Sequence, residues 1–307
     1  MSDRAAVPAD DAVLAPPPRS PGRELLSALL HDKLAVIGLV IVVVLTVLAF
    51  LAPVIAPQDP YDLAQIDFMD SRLPPGSASL AGGTFWLGTD DQGRDLFSAI
   101  LYGLRTSIEV GITSAVIALV IGASIGLASA YVGGRTDALL MRLVDIQLSF
   151  PAILIALILL AILGQGVDKI IIALVVTQWA YYARTVRGSA LVERRRAYVD
   201  AARCQALPRR RIMFGHILPN CLPPLIVVVT MRVAYAIMLE ATLSFLGIGL
   251  PVTEPSLGLL ISNGYTYLLS GVYWISIFPG IALVLLIVGI NLVGDCLRDL
   301  LNPRLRR

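Results

Sequence analysis

The chain has 307 residues, of which 57% are hydrophobic and only 15% charged, with a net charge of +2. A soluble domain carries about a quarter charged residues, so this composition excludes a water-soluble globule and points to membrane-embedded helices. The small net charge says little; where the charges fall along the chain says more.

A hydrocarbon core of roughly 30 Å needs about 20 consecutive apolar residues to be crossed by a helix. Residues 1–33 form an N-terminal tail. Its first 24 residues are Pro-rich and polar with no apolar core, which argues for disorder over 1–22 rather than a cleaved signal. The first predicted span covers 34–52, carries no charge and ends at Pro53, so residues 34–56 make up the first transmembrane element.

Residues 57–105 form an extracytoplasmic segment, acidic and rich in turn residues (Pro57, Pro60, Pro74, Pro75, Gly76, Gly82, Gly83). It ends in an amphipathic stretch with Leu96, Phe97, Ile100, Leu101 and Leu104 on one face, expected to lie along the membrane surface. Residues 106–295 then supply five more predicted spans, at 110–131, 146–163, 170–183, 217–246 and 272–294. The span at 170–183 is short, since Arg184 follows it, and relies on the stem of that arginine reaching toward the interface. A second outer piece, 249–271, has no Lys or Arg, and residues 296–307 form a C-terminal tail. The expected fold class is all-α: a polytopic membrane protein with six transmembrane helices.

Orientation follows from the 24 Lys and Arg residues, because short loops rich in them stay cytosolic. An N-terminus inside puts Arg4, Arg19, Arg23, Lys33, Arg135 and Arg142 in the cytosol, with the arginines from Arg184 to Arg211 and those of the C-terminal tail. Only Arg72, Arg94, Arg105 and Lys169 then lie outside. Both termini are expected to face the cytosol. Cys204, Cys221 and Cys296 fall on or near that reducing side, so no disulfide is implied.

The chemistry the chain lacks narrows its role. There is no G-x-x-x-x-G-K-[ST] phosphate loop, and neither Lys33 nor Lys169 has a Gly-rich approach, so ATP hydrolysis by that route is excluded. Gly122-Ala-Ser-Ile-Gly126 matches a hydrolase nucleophile pattern, but it sits mid-span, where its small residues suit close helix approach. Two histidines, His31 and His216, and three scattered cysteines make no metal-ligand cluster. Asp90, Asp91 and Asp95 around Gly93 do not match a calcium loop and fit placement at a helix N-terminus. Membrane lipid is an expected partner and nucleic acid is not.

Arg232 and Glu240 are costly, since an ionised group at the bilayer centre costs at least ~2.5–3.5 kcal/mol. Eight positions apart, they share roughly one helix face. Together with Ser244 they are candidates for a polar translocation path, or each pairs with another helix or subunit.

The segment 198–220 is basic and helix-prone, between strongly apolar stretches. Residues 189–205 favour helix, Ala206-Leu207-Pro208 bends the chain, and a basic helical turn resumes at Arg209. Asp200-Ala201-Ala202 offers small residues where another surface can press closely. This pattern, with His216-Ile-Leu-Pro219-Asn220, resembles the EAA loop of permease subunits of ATP-binding-cassette importers. Leu87-Gly-Thr-Asp-Asp-Gln-Gly-Arg-Asp95, Leu101-Tyr-Gly-Leu-Arg105, the run from Glu240 to Gly249, the Asn291 to Asp295 motif and the Asn302-Pro-Arg-Leu305 tail are similar to the dipeptide/oligopeptide/nickel branch, C-type.

The resemblance implies a type I ABC importer permease fold and a cytosolic EAA coupling loop over 187–216. Within it Tyr198, Asp200, Ala201, Ala202, Arg203, Ala206, Leu207, Pro208 and Arg209 would dock on an ATPase, supported by His216, Pro219 and Asn220. It further implies a homologous permease partner, two ABC ATPase subunits and an extracytoplasmic substrate-binding protein in the cytoplasmic membrane of a bacterium or archaeon. No cofactor is expected in this chain; ATP and Mg belong to the ATPase subunits. Di- or oligopeptides are the favoured substrates, with nickel chelates or another small solute as alternatives. A secondary transporter using Arg232 and Glu240 is the rival class, and no internal repeat supports it. Asp200 stands where the family has Glu, and Ala206 where it has Gly. A left-handed turn at an alanine is strained, so the bend is expected at Leu207-Pro208. Ser256-Leu257-Gly258 stands where many relatives carry Trp before the Gly.

Overall fold

A computed structural model describes residues 29–62, 66–79 and 82–301. The expectations for the tails, including Arg4, Arg19, Arg23 and the 302–305 motif, lie outside the described residues.

Helix α1, Lys33–Phe50, starts where the Asp32 carboxylate accepts from the Leu34 backbone N–H at 2.9 Å, and a single further turn follows at Ala52–Ile55. A two-stranded hairpin, β1 (Ser77–Ala78) against β2 (Thr84–Phe85), sits in the segment before α2. Helix α2 runs unbroken over Leu96–Val132 for 37 residues, from an Asp95 cap to Gly133. After it come α3 (Gly134–Ser149), α4 (Ala152–Leu163), α5 (Val167–Glu193), the short α6 (Ala197–Cys204), α7 (Leu222–Phe245), α8 (Leu257–Tyr265) and α9 (Trp274–Leu301).

Among the described residues α1, α2, α7 and α9 are long and apolar enough to cross a membrane, and α3 with α4 make a fifth span if the bent pair is one. The predicted span 146–163 is not one helix. Pro151 pushes Phe150 into an extended conformation (φ −96°, ψ 140°), and the chain turns by 88° between α3 and α4. The predicted span 170–183 lies inside the 27-residue α5, which buries Ile170, Ala173, Leu174, Thr177 and Gln178 against its neighbours. The span expected from 217 starts instead at Leu222. Pro219, Pro223 and Pro224 break up the approach into a π-turn, Met213–Ile217, and a single turn, Leu218–Asn220.

The amphipathic stretch at Leu96 to Leu104 is also corrected, because it does not lie on a membrane surface as a separate helix. It is the first part of α2, and Leu96, Ile100, Leu101 and Leu104 are buried. No proline interrupts α2, and Gly103 fits because the backbone at Leu257 approaches so closely that a Cβ would lie 3.1 Å from its nitrogen.

Helix α2 is the spine of the molecule. Its outer third packs Leu96, Ile100 and Leu104 with Leu257, Leu260, Trp274 and Ile275. Its middle carries Val110 into a cluster with Leu160, Leu174 and Leu243, and its inner third joins Leu127 and Ala130 to Tyr182 and Val186 of α5. Gly122 and Gly126 let α5 press against α2, since a Cβ at either would collide with the backbone at Trp179 or Ala183. Val40, Val44, Ile158, Ile162 and Val284 remain exposed, as a lipid-facing exterior requires.

Candidate functional site

Helix α6 has two faces of opposite character. Val199 and Ala202 are buried and join Ile212, Ile217, Cys221 and Leu225 against Tyr182, Val186 and Ala190 of α5 and the inner end of α2. Ala197, Asp200, Ala201 and Arg203 are exposed, with Asp200 paired to Arg203 at 3.1 Å. Apolar anchoring on one side and small or charged residues on the other make a rigid knob at one end of the bundle. The Tyr198 hydroxyl donates to Glu193 at 2.7 Å and ties the start of α6 to the end of α5.

The bend after α6 is not made where the sequence suggests. Ala206 takes the left-handed conformation (φ 53°), its N–H donates to the Arg203 carbonyl at 2.9 Å, and the Leu207 N–H donates to the Ala202 carbonyl at 3.2 Å. These two bonds form a Schellman closure that satisfies the last carbonyls of α6, and this favours the left-handed residue despite its Cβ. Pro208, extended at φ −62° and ψ 142°, then leads into the turn Arg209–Ile212. Ile212 is buried, while Arg209 stays exposed. Further on, His216 Nδ1 lies 3.1 Å from the Arg211 carbonyl, and the Asn220 amide donates to the His216 carbonyl at 2.6 Å. These contacts brace the return into α7, with Pro219 exposed in its single turn.

Some of the arginines in this region hold this end of the bundle together. Arg187 grips Asp137 at 2.6 and 2.7 Å, and Ser129 also donates to that carboxylate, so α2, α3 and α5 meet there. Arg194 donates to the Ala130 carbonyl at 2.7 Å, near the end of α2. Sequence reasoning missed these struts and the anchors Val199, Ile212 and Ile217. The apolar pair at 199 and 202, spaced one helical turn within a polar loop, was the available signal.

On α7 the two costly residues part company. Glu240 is fully buried, and its carboxylate accepts from Ser107 of α2, Ser244 of α7 and Ser256 at the start of α8, each at 2.9 Å. Ser244 is buried with it, so both sit inside the packing of this chain rather than on an open face. Arg232 lies on one side of a cavity of about 360 Å³ lined by Tyr181, Val228, Met231 and Tyr235. Its guanidinium rests 3.4 Å from the centre of the Tyr181 ring and 5.4 Å from that of Tyr235.

At the outer end the motif from Leu87 to Asp95 is a folded polar knot. Asp90 binds Arg94 at 2.7 Å with both side chains buried, and Arg94 also donates to the Val252 carbonyl at 3.2 Å. Asp91 accepts from Asn263, Trp274 donates to the Thr89 carbonyl, and Asp95 caps α2 by accepting from the Ser98 N–H at 2.8 Å. Of the three acids expected near a helix N-terminus, Asp95 is the one that caps α2. Burial raises the Asp91 carboxyl above its ordinary value, reinforced by the neighbouring Asp90 charge. Among the described residues no group of three or more His, Cys, Asp or Glu could hold a metal ion.

Comparison with known proteins matches this architecture. Residues 118–307 match the model of binding-protein-dependent transport system inner membrane components, and residues 20–75 match the N-terminal transmembrane domain of oligopeptide transport permease C. The chain is 38% identical to the di/tripeptide transport system permease protein DppC of Pseudomonas aeruginosa over 301 residues, 97% of each chain. It is 37% identical to the oligopeptide transport system permease protein OppC of Bacillus subtilis, over 90% of this chain and 87% of that one. Among solved structures, an inward-facing MetNI methionine ABC transporter chain shares the fold, with a TM-score of 0.54 and 22% identity over 66% of this chain and 96% of that one. The knob at the inner end, the outer polar knot and the helices between them are thus those of a permease subunit, and the chain belongs to the binding-protein-dependent transport system inner membrane component family.

Proposed function

We propose that this chain is the C-type permease subunit of an ATP-driven importer of di- or oligopeptides delivered by an extracytoplasmic binding protein. It crosses the cytoplasmic membrane six times, α5 included, with both termini in the cytosol. It pairs with a homologous permease subunit and with two ATPase subunits, which bind ATP and Mg. The relatives named as dipeptide, tripeptide and oligopeptide permeases support the peptide assignment.

One observation carries the coupling role: α6 is fixed to α2 and α5 through Val199 and Ala202 while Asp200, Ala201 and Arg203 stay exposed beside Arg209. A helix anchored on one face and bare on the other passes a push from an ATPase groove into the bundle as a rigid-body motion, with no chemistry of its own. Tyr198, Ala206, Leu207 and Pro208 set the angle of that helix; His216, Pro219 and Asn220 hold the chain that returns from it. Arg232 faces the translocation path, and Glu240 and Ser244 hold the helix that carries it.

Ala201→Trp tests the docking surface, because Ala201 is exposed and the bulk projects away from the anchor. The variant is expected to fold and to pair with the second permease, yet to lose co-purification of the ATPases and ATP-dependent uptake. Unchanged ATPase binding and uptake would remove the coupling assignment.

A further inference from the structure

The Arg232 guanidinium carbon lies over the Tyr181 ring, 3.4 Å from its centre and 5.4 Å from that of Tyr235, on one side of a cavity of about 360 Å³. Among the described residues it makes no ion pair, whereas Arg94, Arg105, Arg184, Arg187, Arg196 and Arg203 each face a carboxylate. Arg232 also sits about 15 Å along α7 from its start at Leu222, near the middle of the helix and too deep for a lipid phosphate at the membrane surface. A cation at that depth needs water or an anion in front of it.

Stacking on a tyrosine leaves the edge of a guanidinium free, and that edge carries the forked N–H donors that match a carboxylate in two parallel hydrogen bonds. The aromatic face also holds the fork still before a ligand arrives, so little side-chain freedom is lost on binding. An anion that only passes through suits such a site, because the ring keeps the cation stabilised after the anion leaves.

We propose that Arg232, held on Tyr181 and Tyr235, is a carboxylate-reading station on the translocation path that engages the C-terminal carboxylate of the transported peptide. The station rests on the peptide-importer reading and adds a chemical requirement to it: the cargo carries a free carboxylate. Its neighbours Val228 and Met231 supply apolar walls that tolerate varied side chains. A site of this kind selects the end of a peptide rather than its sequence.

The test uses the complete transporter in proteoliposomes with its binding protein, and two probes, a dipeptide and its C-terminal amide, chosen to bind the binding protein with equal affinity. The wild type is expected to import the free acid about ten-fold faster than the amide, the discrimination expected from one or two hydrogen bonds to a charged group. Arg232→Gln should bring that ratio close to one by slowing the acid alone, Arg232→Lys should retain part of it, and Tyr181→Phe, which keeps the ring, should leave it intact. An unchanged ratio in Arg232→Gln would overturn the station. So would an equal fall for both probes with loss of the second permease from the complex, which would make Arg232 an intersubunit ion-pair partner. A wild-type complex that imports neither probe, while still hydrolysing ATP in response to its binding protein, would instead overturn the peptide reading beneath it.

Discussion

Helix α6 and the junction of α2, α7 and α8 are fastened by different chemistry. At the inner end α6 rides on aliphatic and aromatic contacts between Val199, Ala202, Ile212, Tyr182 and Val186. At the other end buried polar groups add directional ties to the apolar packing: Asp90 with Arg94, and Glu240 with Ser107, Ser244 and Ser256. Apolar contact is non-directional and tolerates small sliding, whereas a buried carboxylate holds its donors at fixed distance and angle. On the coupling role proposed above, the difference suits an α6 end that is pushed and an opposite end that stays in register while α2, α7 and α8 move together.

The sharpest way to break this contrast is at Arg94. Arg94→Met removes the cation paired with the buried Asp90 carboxylate and frees the Val252 carbonyl. A broken buried pair costs about 3–5 kcal/mol, and the loss should appear as a lower melting temperature of the detergent-solubilised complex. Adding Asp90→Leu to it should recover part of that loss, since the stranded charge is then gone.

Glu240 ranks next. Glu240→Ala leaves three buried hydroxyls without their acceptor and a void between α2, α7 and α8, a cost on the order of 3 kcal/mol. Glu240→Gln keeps the volume and one acceptor oxygen and should cost less than half as much. Equal melting temperatures for the two variants would mean that the serines do not depend on this side chain.

At the inner end the same operation should be milder and local. Val199→Ala removes two carbon atoms from the anchor of α6, about 1.5 kcal/mol of apolar burial. Its effect should be seen as faster hydrogen exchange over 197–212 with little change in global melting. If coupling runs through this anchor, the ATPase should also respond less to the loaded binding protein. A global melting shift as large as that of Arg94→Met would erase the distinction between the ends.

What could be read in advance follows the same division. Apolar runs without charge, such as those in α1 and α9, declare themselves because lipid demands length and hydrophobicity and little else. Helix α5 does not, since it is sheltered between α2 and α4 and can carry Gln178 and Thr177 in its buried face. The knob of α6 was legible as an exposed small-residue segment between apolar stretches, but its anchors Val199 and Ala202 lie 69 to 75 positions in sequence from Leu127 and Ala130 of α2 in the same cluster, and no local pattern encodes that grouping. Likewise Arg232 and Glu240 look equivalent by spacing. Only the serines brought in from α2 and α8 make one closed and leave the other open.

Ala206 offers the smallest effect and a test of sign. With Ala206 left-handed (φ 53°), Ala206→Gly relieves a Cβ clash of about 1–2 kcal/mol, while the freer glycine loses about 0.4–1 kcal/mol more in unfolded-state entropy. The balance is a gain between zero and about 1.6 kcal/mol, confined to the closure of α6 and visible as slower exchange of the Leu207 amide that bonds to Ala202. Were the bend instead made by Leu207-Pro208 with Ala206 in an ordinary conformation, only the entropic term would remain and the same substitution would loosen the loop. Glycine thus stabilises one geometry and destabilises the other, and the direction of a single exchange rate separates them.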